Sequence, residues 1–180
     1  GSFMQGKGRH VAIFGLILLT GGLLPAQNSP ALSAGSPVPP AKETLNYSIE
    51  WRLINAGKAQ LDWVSNGQGA SGGGDIRLHL ESVGLVSKLF RVDDLYTSHL
   101  GPGLCAQSLT IAANEGSRHR DTRITFDSAA KKAIFNEKDL VKNAVNAQEV
   151  EIPSCVHDII GGLLYLRTMH LDVGKTAYIP

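Results

Sequence analysis

Cys155, His157 and Asp158 fall within four residues and offer a thiol, a base and a carboxylate, the parts of an activated cysteine nucleophile. Their spacing argues against that chemistry. Successive helix positions point about 100° apart, so Cys155 and His157 diverge and His157 and Asp158 do not face one another. Six histidines occur, but His79, His99, His119, His157 and His170 are scattered without a ligand-pair spacing, and His10 lies near the start. No metal site is assigned. Arg118-His119-Arg120-Asp121-Thr122-Arg123 is a local basic cluster, read as a solvated strand edge that arginines protect from unwanted pairing. Its functional alternative is contact with an anionic lipid headgroup or a glycan. With no carboxylate pair, nucleophile elbow or cofactor fingerprint, no catalytic residue and no cofactor are assigned, and the expectation is a protein that is not an enzyme.

The element that must position these groups runs from Pro153 to Arg167. Val156, Ile159, Ile160, Leu163 and Leu166 fall at helical spacing, which predicts a helix over about 154–168 laid on a core. Ser154 and Asp158 are its expected cap residues. Gly161 and Gly162 should each cost about 1 kcal/mol in mid-helix, so a close backbone approach to a sheet is expected there. Arg167 suits the negative end of the dipole, and its carboxylate partner is Asp94 or another acid.

The chain opens with Gly1-Ser2-Phe3, read as an expression scar or a misplaced start. Residues 4–34 then read as a secretory signal: Lys7 and Arg9, an apolar stretch from Val11 to Leu24, then small residues. Residues 35–42 are a Pro-rich tether, expected to be extended and mobile. Residues 43–180 form one β-rich domain of about 138 residues. Removing residues 1–34 takes away Lys7 and Arg9 and no acid, leaving 15 basic against 16 acidic groups. That near-neutral balance gives no support for nucleic-acid binding.

Leu45, Tyr47, Ile49, Trp51 and Leu53 alternate with polar residues, the pattern of a half-buried antiparallel strand. Asn55-Ala56-Gly57 is the expected turn, and Ala59, Leu61 and Trp63 continue the alternation back. Ser65 to Asp75 holds five glycines in eleven residues and reads as a flexible loop without a phosphate-binding ending. Ile76, Leu78 and Leu80 mark a third strand. Leu85 to Arg91 is a short helical turn or crossover with Leu85, Leu89 and Phe90 inward. Strands follow over Val92–Leu100, Cys105–Ile111, Thr122–Phe126, Ala133–Asn136 and Glu149–Ile152, and another is expected to begin at Val173. The class is mainly β (α+β): a curved antiparallel sheet or partial barrel packed around one late helix.

Leu45 to Ala59, Phe90 to Leu100 with Asp94, Tyr96 and Ser98, and Pro153 to Gly174 resemble, in order, segments of exported bacterial proteins grouped as domain-of-unknown-function family 3108. The resemblance implies a periplasmic or envelope location and a β-rich fold, and no established activity. Members continue beyond the position of Pro180, which implies that the domain is incomplete at its C-terminal end.

Cys105 and Cys155 are the only cysteines, and export would deliver them to an oxidising compartment. Either they bridge, or they remain two buried thiols. A sheet closed by a helix can leave an apolar groove, for which Tyr47, Trp51, Leu61, Trp63, Gly161, Gly162 and Leu163 are the candidate lining. The functional expectation is an exported envelope module that binds or carries a lipid or other apolar ligand. The alternative is a structural or interaction domain that has a filled core and binds another envelope protein.

Overall fold

The computed structural model describes residues 39–67 and 72–180. Residues 4–34, read as a secretory signal, and most of residues 35–42, read as a tether, lie outside the described residues. Eight strands form one open antiparallel sheet in simple chain order: β1 (Lys42–Trp51), β2 (Ile54–Ser65), β3 (Gly74–Ser82), β4 (Asp93–Leu100), β5 (Ala106–Glu115), β6 (Arg118–Asp127), β7 (Lys132–Asp139) and β8 (Ala144–Glu151). Two short helices complete it, α1 (Gly84–Leu89) and α2 (Gly161–Leu166). The chain is therefore mainly β, as its alternating pattern predicts.

Register follows from which residues must be dry. One cross-strand row on the inner face reads Glu43, Trp63, Ile76, Ser98, Leu109, Ile124, Phe135 and Gln148. A slip of one residue would turn that whole row to solvent. Trp63, Ile76, Leu100, Leu104, Ala106 and Leu109 form the core with Ile160 and Leu164. The opposite face carries Asp62, Arg77, Thr97, Thr110, Arg123 and Asn136 in register and is polar.

Several local expectations are corrected. The first hairpin turns at Arg52 and Leu53, both at positive φ, and not at Asn55–Gly57. Gly57 instead sits inside β2, where a Cβ would come within 2.8 Å of the Glu81 carbonyl. Leu85, Leu89 and Phe90 are exposed, not inward, so α1 is a surface crossover. The last residues of the tether are docked: the Pro40 carbonyl accepts the Trp63 indole N–H at 2.8 Å, and Ala41 accepts the Ser65 N–H at 2.8 Å. No strand forms over residues 173–180.

The late helix is shorter than predicted. Residues 154–158 are not helical, and the regular turn spans only Gly161–Leu166. Its buried stripe is Ile160 and Leu164, while Ile159 and Leu163 face solvent, so the predicted apolar face is rotated.

Candidate functional site

The densest polar constellation lies where α2 meets the sheet. Asp158 is buried, and its Oδ1 accepts the N–H groups of Ile160 at 3.0 Å and Gly161 at 2.8 Å. Its Oδ2 accepts the hydroxyl of Ser98, itself fully buried on β4. Asp158 thus caps α2 and ties it to the sheet. Ser154 is exposed and takes no part in this cap, because the chain bends at residues 154–155 and turns helical only at Gly161.

Cys105 and Cys155 are bridged, with Cα atoms 5.1 Å apart. A thiol nucleophile is therefore absent from the Cys155–Asp158 stretch. The His157 ring stacks on Tyr165 with centroids 3.8 Å apart and lies near the carbonyls of Pro180 and Gly103 at 3.3 and 3.4 Å. A neutral imidazole donates to only one of these at a time. Three neighbouring residues thus serve a bridge, a ring stack and a cap.

Arg167 does not reach Asp94. Its guanidinium forks onto both carboxylate oxygens of Glu43 on β1, with the longer bond at 3.1 Å. Hydrogen bonding from Arg167 holds the Glu43 carboxyl below its ordinary range. Asp94 instead accepts the Asn114 N–H at 2.8 Å, and burial pushes its carboxyl up.

The basic cluster sits on β6, between β5 and β7, so it is not a sheet edge. Arg120 is spent on carboxylates, with Glu115 at 2.9 Å and Glu137 at 3.5 Å. The pairing needs Glu115 and Glu137 from adjacent strands, which no local pattern in the sequence announces. The imidazoles of His79 and His99 each pair with one aspartate, Asp93 and Asp75. Among the described residues, no group of three His, Cys, Asp or Glu side chains could hold a metal ion.

The seven proposed groove residues do not line one interior. Leu61, Trp63, Gly161 and Gly162 are buried, whereas Tyr47, Trp51 and Leu163 are 51%, 60% and 51% exposed. A Cβ on Gly161 would lie 2.8 Å from Leu100 Cδ2, so the helix backbone rests on a side chain and not on open space. Two sizeable depressions, of about 360 and 440 Å³, lie on the polar face, where Leu95 and Ala112 are common to both.

The model of the family described as protein of unknown function (DUF3108) matches residues 46–180. The chain belongs to this family. No curated protein and no solved structure matches it. The DUF3108 match covers all eight strands except the start of β1, together with both helices.

Proposed function

We propose that this chain is an exported envelope domain that works by binding another protein, and that it neither carries a ligand in its interior nor catalyses a reaction. The observation that carries this reading is a contrast on one face of the sheet. Trp63, Ile76, Ile160 and Leu164 are in closed contact at 0–1% exposure, while Tyr47, Ile49 and Trp51 of β1 are left open at 43–60%. A carrier needs an apolar cavity of a few hundred Å³ at the helix, and that place is taken by side chains. Exposed aromatic residues are the kind that anchor protein interfaces. Export is supported by the signal-like stretch of residues 4–34 and by the disulfide, which persists in oxidising compartments.

The test places a photo-crosslinking amino acid at Trp51 in the full chain, expressed in a bacterial envelope. A discrete protein adduct that disappears when Tyr47 and Ile49 are changed to serine is the expected result. A phospholipid adduct in its place, or a fatty acid retained in native mass spectrometry, would overturn the reading in favour of the carrier.

A further inference from the structure

One end of the sheet is made by four connections: residues 52–53 between β1 and β2, residues 83–92 with α1 between β3 and β4, residues 116–117 between β5 and β6, and residues 140–143 between β7 and β8. Backbone hydrogen bonds tie them, through the strand ends, into one rim. Val83 donates to the Ala56 carbonyl at 3.0 Å, Gly116 to Arg91 at 2.7 Å, and Leu140 to His119 at 2.8 Å.

Two properties coincide on this rim. Leu53, Leu85, Leu89, Phe90, Leu140 and Val141 are all exposed, Leu53 at 99% and Leu89 at 80%. Helix α1 buries no residue, and its Leu85 and Leu89 stand one turn apart on its outer side. The same connections hold Arg52, Lys88, Arg91 and Lys142 and no acid. Acids on the strand ends beside them are mostly answered: Glu81 by Lys58 at 2.7 Å, Asp93 by His79 at 2.9 Å and Arg91 at 3.6 Å, and Glu115 by Arg120 at 2.9 Å. Asp139 accepts the N–H groups of Val141 and Lys142. Glu50 has no such partner among the described residues. The strand connections at the opposite end, residues 66–73, 101–105 and 128–131, carry one cation, Lys131, and their one large apolar residue, Leu104, is buried.

We infer that this rim docks on an anionic phospholipid bilayer, with Leu53, Leu85 and Leu89 entering the headgroup boundary and Lys88, Arg91 and Lys142 lying against lipid phosphates. The residue types choose a bilayer over a protein. Leucine and valine are under-represented among protein hot spots, and lysine is depleted from protein interfaces. Leucine and phenylalanine interleaved with lysine and arginine are what an interfacial anchor uses. The long lysine stems let the charged heads stay with the phosphates while the leucines sink past them. Further strands paired at an edge of the sheet would lie beside this rim, not over it. Tyr47 and Ile49, lower on β1, remain available to a protein partner.

The test attaches a polarity-sensitive nitrobenzoxadiazole label to Leu89→Cys on the rim, or to Ser128→Cys at the opposite end. The native bridge leaves no other free thiol among the described residues. Full chain is mixed with vesicles of equal parts phosphatidylcholine and phosphatidylglycerol, or of phosphatidylcholine alone. The label at 89 is expected to shift to the blue on the anionic vesicles and much less on the neutral ones, and the label at 128 is expected not to shift. Lys88→Gln with Lys142→Gln should leave the melt unchanged and raise the lipid needed for half the shift roughly 25-fold, at about fivefold per cation. Leu53→Ser with Leu85→Ser should shrink the shift at 89. The apolar stretch from Val11 to Leu24 could hold the chain to vesicles by itself, so depth at the rim, not sedimentation, is the readout. No shift at 89, equal shifts at 89 and 128, equal shifts on both vesicles, or a shift indifferent to the glutamine or serine changes would each overturn the inference. So would a label at 89 that is already blue-shifted without lipid, because another segment of the chain would then cover the rim. The vesicles contain no protein, so none of these results bears on the protein-binding face of β1.

Discussion

The Ser98 hydroxyl donates to Asp158 Oδ2, joining β4 to the turn that begins α2 across 60 residues of chain. Both side chains are buried, so each is the other's substitute for water. Asp158→Ala removes this bond and two backbone caps, and leaves the Ser98 hydroxyl unanswered. Urea denaturation should show a loss of about 3 kcal/mol. Ser98→Ala keeps the caps and should cost about 1 kcal/mol.

The adjacent glycines should respond in opposite directions. Gly161→Ala drives a methyl to within 2.8 Å of Leu100 Cδ2, so it should destabilise by about 1–3 kcal/mol despite the better helix propensity. A Cβ on Gly162 meets nothing closer than 3.9 Å, and Gly162→Ala should stabilise by about 0.5 kcal/mol. Paired thermal melts of the two variants are the measurement.

Burial raises the Asp94 carboxyl in the fold, so ionising it opposes folding. The stability it withholds is small below the unfolded value near 3.9 and grows as pH rises through the higher folded value. Asp94→Asn retains an oxygen for the Asn114 N–H without the charge. Its melting temperature should exceed wild type at neutral pH, and the gap should close in acid.

The Glu43–Arg167 pair has the opposite sign. Its contribution is present above the unfolded carboxyl value and is lost as pH falls through the lowered folded one. The Arg167 side chain is 41% exposed, which limits the pair to about 1 kcal/mol. Glu43→Gln should show that loss at pH 7 and low salt, and much less at high salt, in parallel denaturation curves.

Reduction of Cys105–Cys155 opens a loop spanning 50 positions. The chain-entropy model gives about 4 kcal/mol for its closure. Replacing both cysteines by serine should lower the denaturation midpoint by a corresponding amount, and dithiothreitol should then have no further effect.

The strand alternation from Leu45 to Trp63 was legible because one face must be dry. The turn between β1 and β2 was not, since Arg52 and Leu53 adopt positive φ without glycine or asparagine to announce it. Apolar spacing from Val156 to Leu166 looked helical throughout. Yet Cys155 is held by its bridge, and the Asp158 side chain starts the helix only at residue 161. The partner of Arg167 lies 124 residues away on β1, a distance that no local pattern spans.

A sheet whose strands pair only with their neighbours in the chain can be assembled in the order in which the chain emerges. Each hairpin closes over a short loop, and such closures cost little entropy. Residues 158–167 are the exception. Until they arrive, Trp63, Ile76 and Leu100 have no lid, although their strands can already be paired. Residues 158–167 therefore act as the keystone of a structure whose courses are already laid. A chain halted before Asp158 should present a formed but unsealed sheet, the species most in need of a chaperone during folding.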